Sequence, residues 1–494
     1  MKKNTKLLIG AGFAVILLGA ALTTVLLLPS EKDKISENDN QAVVLYDKQD
    51  CLAESISITN ASGSFELLAY ERQVNPSVMT SGGDVEEEPS INVIYTMQDH
   101  AELDLDKDMT DYLTTQCQKF EAARVISRDE GKYAEYGLDN PKVTAEIVYD
   151  DNSLVKLYLG NDSPDQQGVY LRRDGDPKVY LAEKGSVDSF YFEKLQLFDK
   201  ELTTPVHQIK SVQVSGTAYP EELSITLNTV TEYLGKYKMT SPTANICDNQ
   251  KFKTITDAAL NYSAERVQAI DVSEEQLSDY GLDQPYETFT IQGDKGEFIR
   301  LIAGKPDDDG KIYLMIPERS IVYQSTAEAT VWYGVTREEF LTDGILKPNP
   351  DAVKIMKIDS GERHDTYEVT REKKYSERYD ETIVVNITHQ GNAVTFTNFS
   401  NFIQGISGLE RTGKKPADLK GFSEIFRAEF QYDDVKTVDH LVLYRNSDGK
   451  TAAVLNDYIE SYVDETYTAR LLEQIPLIDS ETVIPPLNEP TDVV

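Results

Sequence analysis

The sequence predicts an α+β protein: one N-terminal transmembrane helix, then tandem repeats of a small antiparallel sheet with helices packed on it. Three observations carry this. An uncharged run from Leu7 to Leu28 follows three lysines. A tyrosine–glycine–leucine–aspartate turn closed by proline occurs twice. After each turn the apolar residues alternate with the period of a strand.

At about 1.5 Å per residue the run from Leu7 to Leu28 is long enough to span the hydrocarbon core. Pro29 ends it and Glu31 to Lys34 follow. Lys2, Lys3 and Lys6 precede the run, against Lys32 and Lys34 after it. The positive-inside rule then places residues 1–6 in the cytoplasm, 7–28 in the membrane as a signal anchor, and the body outside. A cleaved signal peptide is the alternative, with Gly19 and Ala21 as the small residues before the cut. Val25 to Leu28 prolong the apolar run beyond that point. No cysteine stands near its end, which excludes a lipoprotein anchor. Residues 29–50 read as a linker.

The body repeats itself. Tyr136-Gly137-Leu138-Asp139-Asn140-Pro141 recurs as Tyr280-Gly281-Leu282-Asp283-Gln284-Pro285. At the same offset Leu159-Gly160 matches Ala303-Gly304. One residue out of step, Gly168 to Leu171 parallels Lys311 to Leu314, and Val179-Tyr180 parallels Val322-Tyr323. Ordered matches of this kind indicate duplication. The units are 51–202 and 203–346. A degenerate third, 347–475, has Leu419-Lys420-Gly421-Phe422 where the signature belongs. Residues 476–494 read as an unstructured acidic tail with several prolines.

Each signature has a mechanical reading. Ser127 with Glu130, and Ser273 with Gln276, form capping boxes at the start of a short helix. Tyr136 and Tyr280 end it. Gly137 and Gly281 take the left-handed position after the helix, and Leu138 and Leu282 supply the hydrophobic contact of a Schellman cap. Pro141 and Pro285 stop continuation and start a strand. Val143, Ala145, Ile147 and Tyr149 then share one face. Helices are expected over about 109–124, 253–267, 327–341, 399–409 and 465–473, and another carrying Phe190, Leu195 and Phe198. Tyr136, Tyr170, Tyr180, Tyr280, Tyr313 and Tyr323 recur at matching positions, so they are expected to serve the fold. Trp332 is expected in the core.

Composition excludes some functions. Lys and Arg total 49 against 84 Asp and Glu, a formal charge of −35, so a basic stripe for nucleic acid is not available. The same charge argues against the body lying on an anionic membrane surface. With 28 Tyr and 16 Phe the chain is not a disordered acidic polymer. Cys51, Cys117 and Cys247 read as isolated thiols. His100, His207, His364, His389 and His440 show no ligand spacing and read as surface or loop residues. Asp104, Asp106 and Asp108 begin like a calcium loop, but Met109 and Thr115 stand where Gly and Glu are needed. Asp307 to Gly310 read as a solvated turn. Nucleotide-binding and nucleophile-elbow motifs are absent, and no carboxylate pair stands out by spacing. No catalytic residue, cofactor or metal is therefore expected.

The signature turn, the strand–turn–strand and glycine after it, and the paired tyrosine hairpin resemble a bacterial domain of unknown function, family 4340. The resemblance covers about residues 120–200 and again 264–345. The third unit departs at the signature. The resemblance implies an outward-facing protein related to the extracytoplasmic parts of gliding-motility-type ABC transporter systems. The expected function is a membrane-anchored, non-enzymatic scaffold or accessory protein whose partner is a permease or another envelope protein. The alternatives are a cell-wall or glycan-binding module, and a hydrolase in the third unit.

Overall fold

The computed structural model describes residues 41–74, 90–202, 205–229, 232–375, 381–433, 436 and 438–487. The chain divides into two compact units between Phe198 and Asp199.

The first unit is built on one eight-stranded sheet. Its order is Ser90–Met97, Gly63–Val74, Ala53–Asn60, Val143–Tyr149, Leu154–Asp162, Gly168–Arg173, Val179–Glu183, Arg124–Ser127. Every pair is antiparallel. Val143, Ala145, Ile147 and Tyr149 are all buried, as their alternation requires. Helix Lys107–Gln118, capped by Asp106, lies over that face. The Tyr149 hydroxyl donates to Cys117 O at 2.5 Å. A separate pair, Val43–Asp47 with Lys119–Ala122, completes the unit.

The second unit holds two more sheets. The nine-stranded one runs Asn245–Ile246, Tyr237–Ser241, Leu223–Leu227, Ile209–Ser215, Glu287–Gly293, Phe298–Ala303, Lys311–Ile316, Ile321–Thr326, Arg266–Ile270. The eight-stranded one runs Asn392–Val394, Glu381–His389, Arg363–Tyr375, Val353–Ser360, Phe422–Tyr432, Val438–Asn446, Thr451–Leu455, Tyr458–Tyr462. Helix Phe396–Ser407 buries Phe399, Phe402, Ile403 and Ile406 against Tyr367, Phe426 and Phe430 of the latter sheet.

One wiring rule holds in all three copies. The first strand of each opening hairpin pairs antiparallel with the strand that follows the signature position. The pairs are Ala53–Asn60 with Val143–Tyr149, Ile209–Ser215 with Glu287–Gly293, and Val353–Ser360 with Phe422–Tyr432. The third copy keeps this wiring although its signature is lost.

The expected fold class is corrected here. The repeats are not small sheets: strand accounts for 44% and helix for 20%. Local alternation shows each half of a repeat as its own small sheet. The long-range pairing that fuses both halves edge to edge leaves no local pattern. The helices expected over 399–409 and 465–473 are present as Phe396–Ser407 and Glu465–Gln474, but others are shorter than expected. The one expected over 109–124 ends at Gln118, and Lys119–Ala122 is already strand. Over 327–341 only Arg337–Phe340 is α-helical, because Gly334 takes a φ of +71° and interrupts the run. Phe190 and Phe198 are buried and Leu195 is half-buried, held by short 3-10 turns and the residue after them, not by one helix.

The single-pass location is corrected as well. The run 7–28 lies outside the described residues. Among the described residues no helix is long and apolar enough to cross a membrane. The longest there have 12 residues, about 18 Å at the α-helical rise, well short of a hydrocarbon core.

The stretch after Pro476, expected to be unstructured, packs as far as residue 487. Asn398 holds it: its side-chain amide donates to Leu477 O, Ser480 O and Thr482 O at 2.9 to 3.0 Å, and its Oδ1 accepts from Ile484 N. Ile478 and Ile484 are buried.

Candidate functional site at the seam of the second and third sheets

Tyr136 closes a 3-10 helix, Glu130–Tyr136, and Gly137 follows with φ +72°. Leu138 N donates to Tyr133 O at 2.9 Å, and its side chain is buried. The second copy repeats this: helix Glu274–Tyr280, Gly281 at φ +66°, and Leu282 N to Leu277 O at 2.9 Å. Asp139 and Asp283 are exposed, while Pro141 and Pro285 are half-buried just before their strands. The Tyr136 ring lies 4.7 Å from Tyr170, and Tyr280 lies 5.2 Å from Tyr313.

The glycines of the matched pairs explain their recurrence. A Cβ on Gly160 would stand 2.2 Å from Tyr136 O, and one on Gly304 would stand 2.6 Å from Tyr280 O. Each signature turn is therefore pressed onto a strand that only glycine leaves open. The capping boxes differ between copies. Ser273 and Gln276 form theirs. In the first copy Asp129 is the cap instead, accepting from Gly131 N, while Ser127 Oγ accepts from Asp129 N.

Chemistry-bearing side chains gather elsewhere, where the two sheets of the second unit meet. Glu460, on Tyr458–Tyr462, is fully buried. Arg337 donates to both its oxygens, NH1 to Oε2 at 2.9 Å and NH2 to Oε1 at 2.5 Å. Arg411 NH2 donates to Oε2 at 3.0 Å, and its NH1 donates to Thr342 O and Gly344 O at 2.6 Å. Burial pulls the Arg411 guanidinium below its usual range against the pull of Glu460. Asp439 is a second buried carboxyl at the seam. It accepts from Tyr233 at 2.8 Å, Tyr432 at 2.7 Å and Asn456 at 2.9 Å. Burial raises its pKa despite those donors.

Beside Arg337 opens a cleft of ≈ 480 Å³, walled by Tyr219, Pro220, Pro242, Tyr286 and Tyr458. The Arg337 guanidinium lies 4.5 Å from the centroid of the Tyr458 ring. Its Nε is buried without a hydrogen-bond partner. Behind Tyr286 sits Glu287, fully buried, accepting from Gly334 N. Burial pushes its carboxyl up to about 7 although that amide works against the shift.

A third cluster lies in the last sheet. His389 Nδ1 is 3.0 Å from Asp479 Oδ1, and its Nε2 is 3.2 Å from Asp365 Oδ1. One ligand atom from each lies within 4.8 Å of the others, so the three could hold a cation. Arg363 already pairs with both carboxylates, at 2.8 Å to Asp365 and 3.2 Å to Asp479. The arginine thus supplies positive charge to the cluster. The Tyr367 ring stacks on His389 at 4.7 Å. Because Asp479 follows the last helix, the cluster also fastens the C-terminal stretch to the sheet.

The family model for a domain of unknown function, DUF4340, matches the chain twice in tandem, over residues 96–258 and 238–420. Together the matches run over about two thirds of the sequence. The chain belongs to the DUF4340 family. Each DUF4340 match contains one signature turn, at 136–141 and at 280–285. No curated protein and no solved structure matches the chain.

Sequence reasoning did not find the residues that this DUF4340 chain gathers at its seam. Arg337 and Glu460 are 123 positions apart, and neither stands in a motif. His389, read as a surface or loop residue, is 9% exposed and paired on both sides. The acidic stretches singled out have structural roles. Asp106 caps its helix, and Asp307 Oδ1 accepts from Asp309 N and Lys311 N to form a turn. Trp332 is fully buried, as core packing requires. The recurring Tyr180 and Tyr323 are also buried.

Proposed function

We propose that the chain is a non-enzymatic scaffold or accessory protein that holds a partner protein, and that the partner is a permease of an ABC-type transport system. The observation that carries the scaffold reading is the pairing of Glu460 with Arg337 and Arg411. The helix after the second sheet, the loop carrying Arg411 and an edge strand of the third sheet share one buried ion cluster, so the surfaces of these modules are presented to a partner in a fixed relation. Repeated sheet modules also build broad binding surfaces. The choice of a transport partner rests on the family resemblance alone.

The test is affinity purification of tagged full-length protein from a mild-detergent extract, with mass spectrometry of what accompanies it. A permease and its ATPase at near-stoichiometric levels are the expected result. Recovery of the protein alone, from an extract in which known complexes stay intact, would remove this reading.

A further inference from the structure

We infer that the cleft beside Arg337 is a docking site for an extended, proline-rich segment of a partner protein with basic residues at its flanks. The inference rests on the scaffold reading, since it names what the scaffold holds.

Three observations lead to it. The walls include Tyr219, Tyr286 and Tyr458 with Pro220 and Pro242. Flat tyrosine and proline faces of this kind receive the rings of a polyproline II helix, which comes preformed and loses little entropy on docking. Arg337 also lines the cleft, is 5% exposed, and buries an Nε–H that has no acceptor. The other two guanidinium nitrogens are held by Glu460. Glu460 therefore meets the Arg337 charge, so the guanidinium does not repel a basic segment. The rim is acidic: Glu221 lines the cleft, Glu222 follows it, and the chain carries a charge of −35. That favours lysine or arginine beside the prolines and disfavours an anionic ligand. A saccharide would call for several convergent charged or amide groups, whereas the charged side chains lining this cleft are Glu221 and the Glu460-paired Arg337.

The test uses full-length protein and a fluorescent octaproline peptide flanked by lysines, followed by anisotropy. Saturable binding is expected. It should weaken about tenfold or more in Tyr286→Ala, which removes a wall, and about threefold in Glu221→Lys, which reverses the rim charge. Glutamate-flanked octaproline should bind more weakly than the lysine-flanked peptide. A thermal melt of Tyr286→Ala matching the wild type keeps the comparison free of unfolding, and the exposed Glu221→Lys serves if it does not. Absence of saturable binding, or binding untouched by both substitutions, would overturn the inference. So would Tyr286-dependent binding of chitotetraose in place of the peptide. If wild type and Tyr286→Ala retrieve a permease equally, the cleft inference falls and the scaffold reading stands. If the wild type retrieves none, the transport partner falls and the peptide titration alone decides the cleft.

Discussion

The Arg337 guanidinium and the Glu460 carboxylate meet two oxygens to two nitrogens, at 2.9 and 2.5 Å, with both side chains almost wholly removed from solvent. Arg337 comes from the short helix Arg337–Phe340 and Glu460 from the edge strand Tyr458–Tyr462, and Arg411 closes the same carboxylate from another side at 3.0 Å. Glu460→Gln leaves two buried cations short of their counter-charge. A loss of about 3–5 kcal/mol is expected in urea unfolding, because removing one partner of a buried cluster strands the others. A loss under about 1 kcal/mol would mean that water reaches the seam.

Glu287 carries a pH dependence. Its carboxyl is pushed from 4.5 up to about 7 by burial. The folded state therefore holds the proton more tightly than the unfolded one. Its contribution to stability is full below pH 4.5 and is lost as pH rises through about 7. The full effect is about 3 kcal/mol at the usual conversion of pKa to free energy. Glu287→Gln should flatten the fall in unfolding free energy between pH 5 and 8. An unchanged slope would show that the carboxyl titrates normally.

The two signature glycines should not respond alike. Both have positive φ, so alanine is strained at either by about 1–2 kcal/mol. At Gly281 a Cβ meets nothing within 4 Å, whereas at Gly137 it would lie 2.7 Å from the Asn161 side chain. Gly137→Ala should therefore be the more destabilising in parallel denaturant titrations. Equal losses would mean that Asn161 moves aside freely.

Asn398 tests the C-terminal strap. It satisfies three carbonyls and one amide of residues 477–484. Asn398→Ala should cost about 2 kcal/mol by leaving those groups unmet. It should also raise amide hydrogen exchange across 475–487. Exchange that stays at the wild-type rate there would assign the strap's hold to the Asp365–His389–Asp479 cluster and the buried Ile478 and Ile484.

By itself the sequence determined what depends on neighbours along the chain. The left-handed glycines, the buried leucine after each, the alternation from Val143 to Tyr149 and the duplication all follow from local sterics and period. These are fixed within one or two turns of backbone, so residue order alone displays them. It also determined family membership, because the signature is such a local device. Only the tertiary structure decided how far each sheet extends. Ile58 pairs with Ala145 and Ile358 with Ala428, across gaps that carry no periodic signal. It also decided which of the 84 acids matter. Glu460, Glu287, Asp439 and Asp479 look like any solvated carboxylate in the sequence, and burial and partners distinguish them. Both are properties of three-dimensional packing, brought together by chain segments that hold no record of each other.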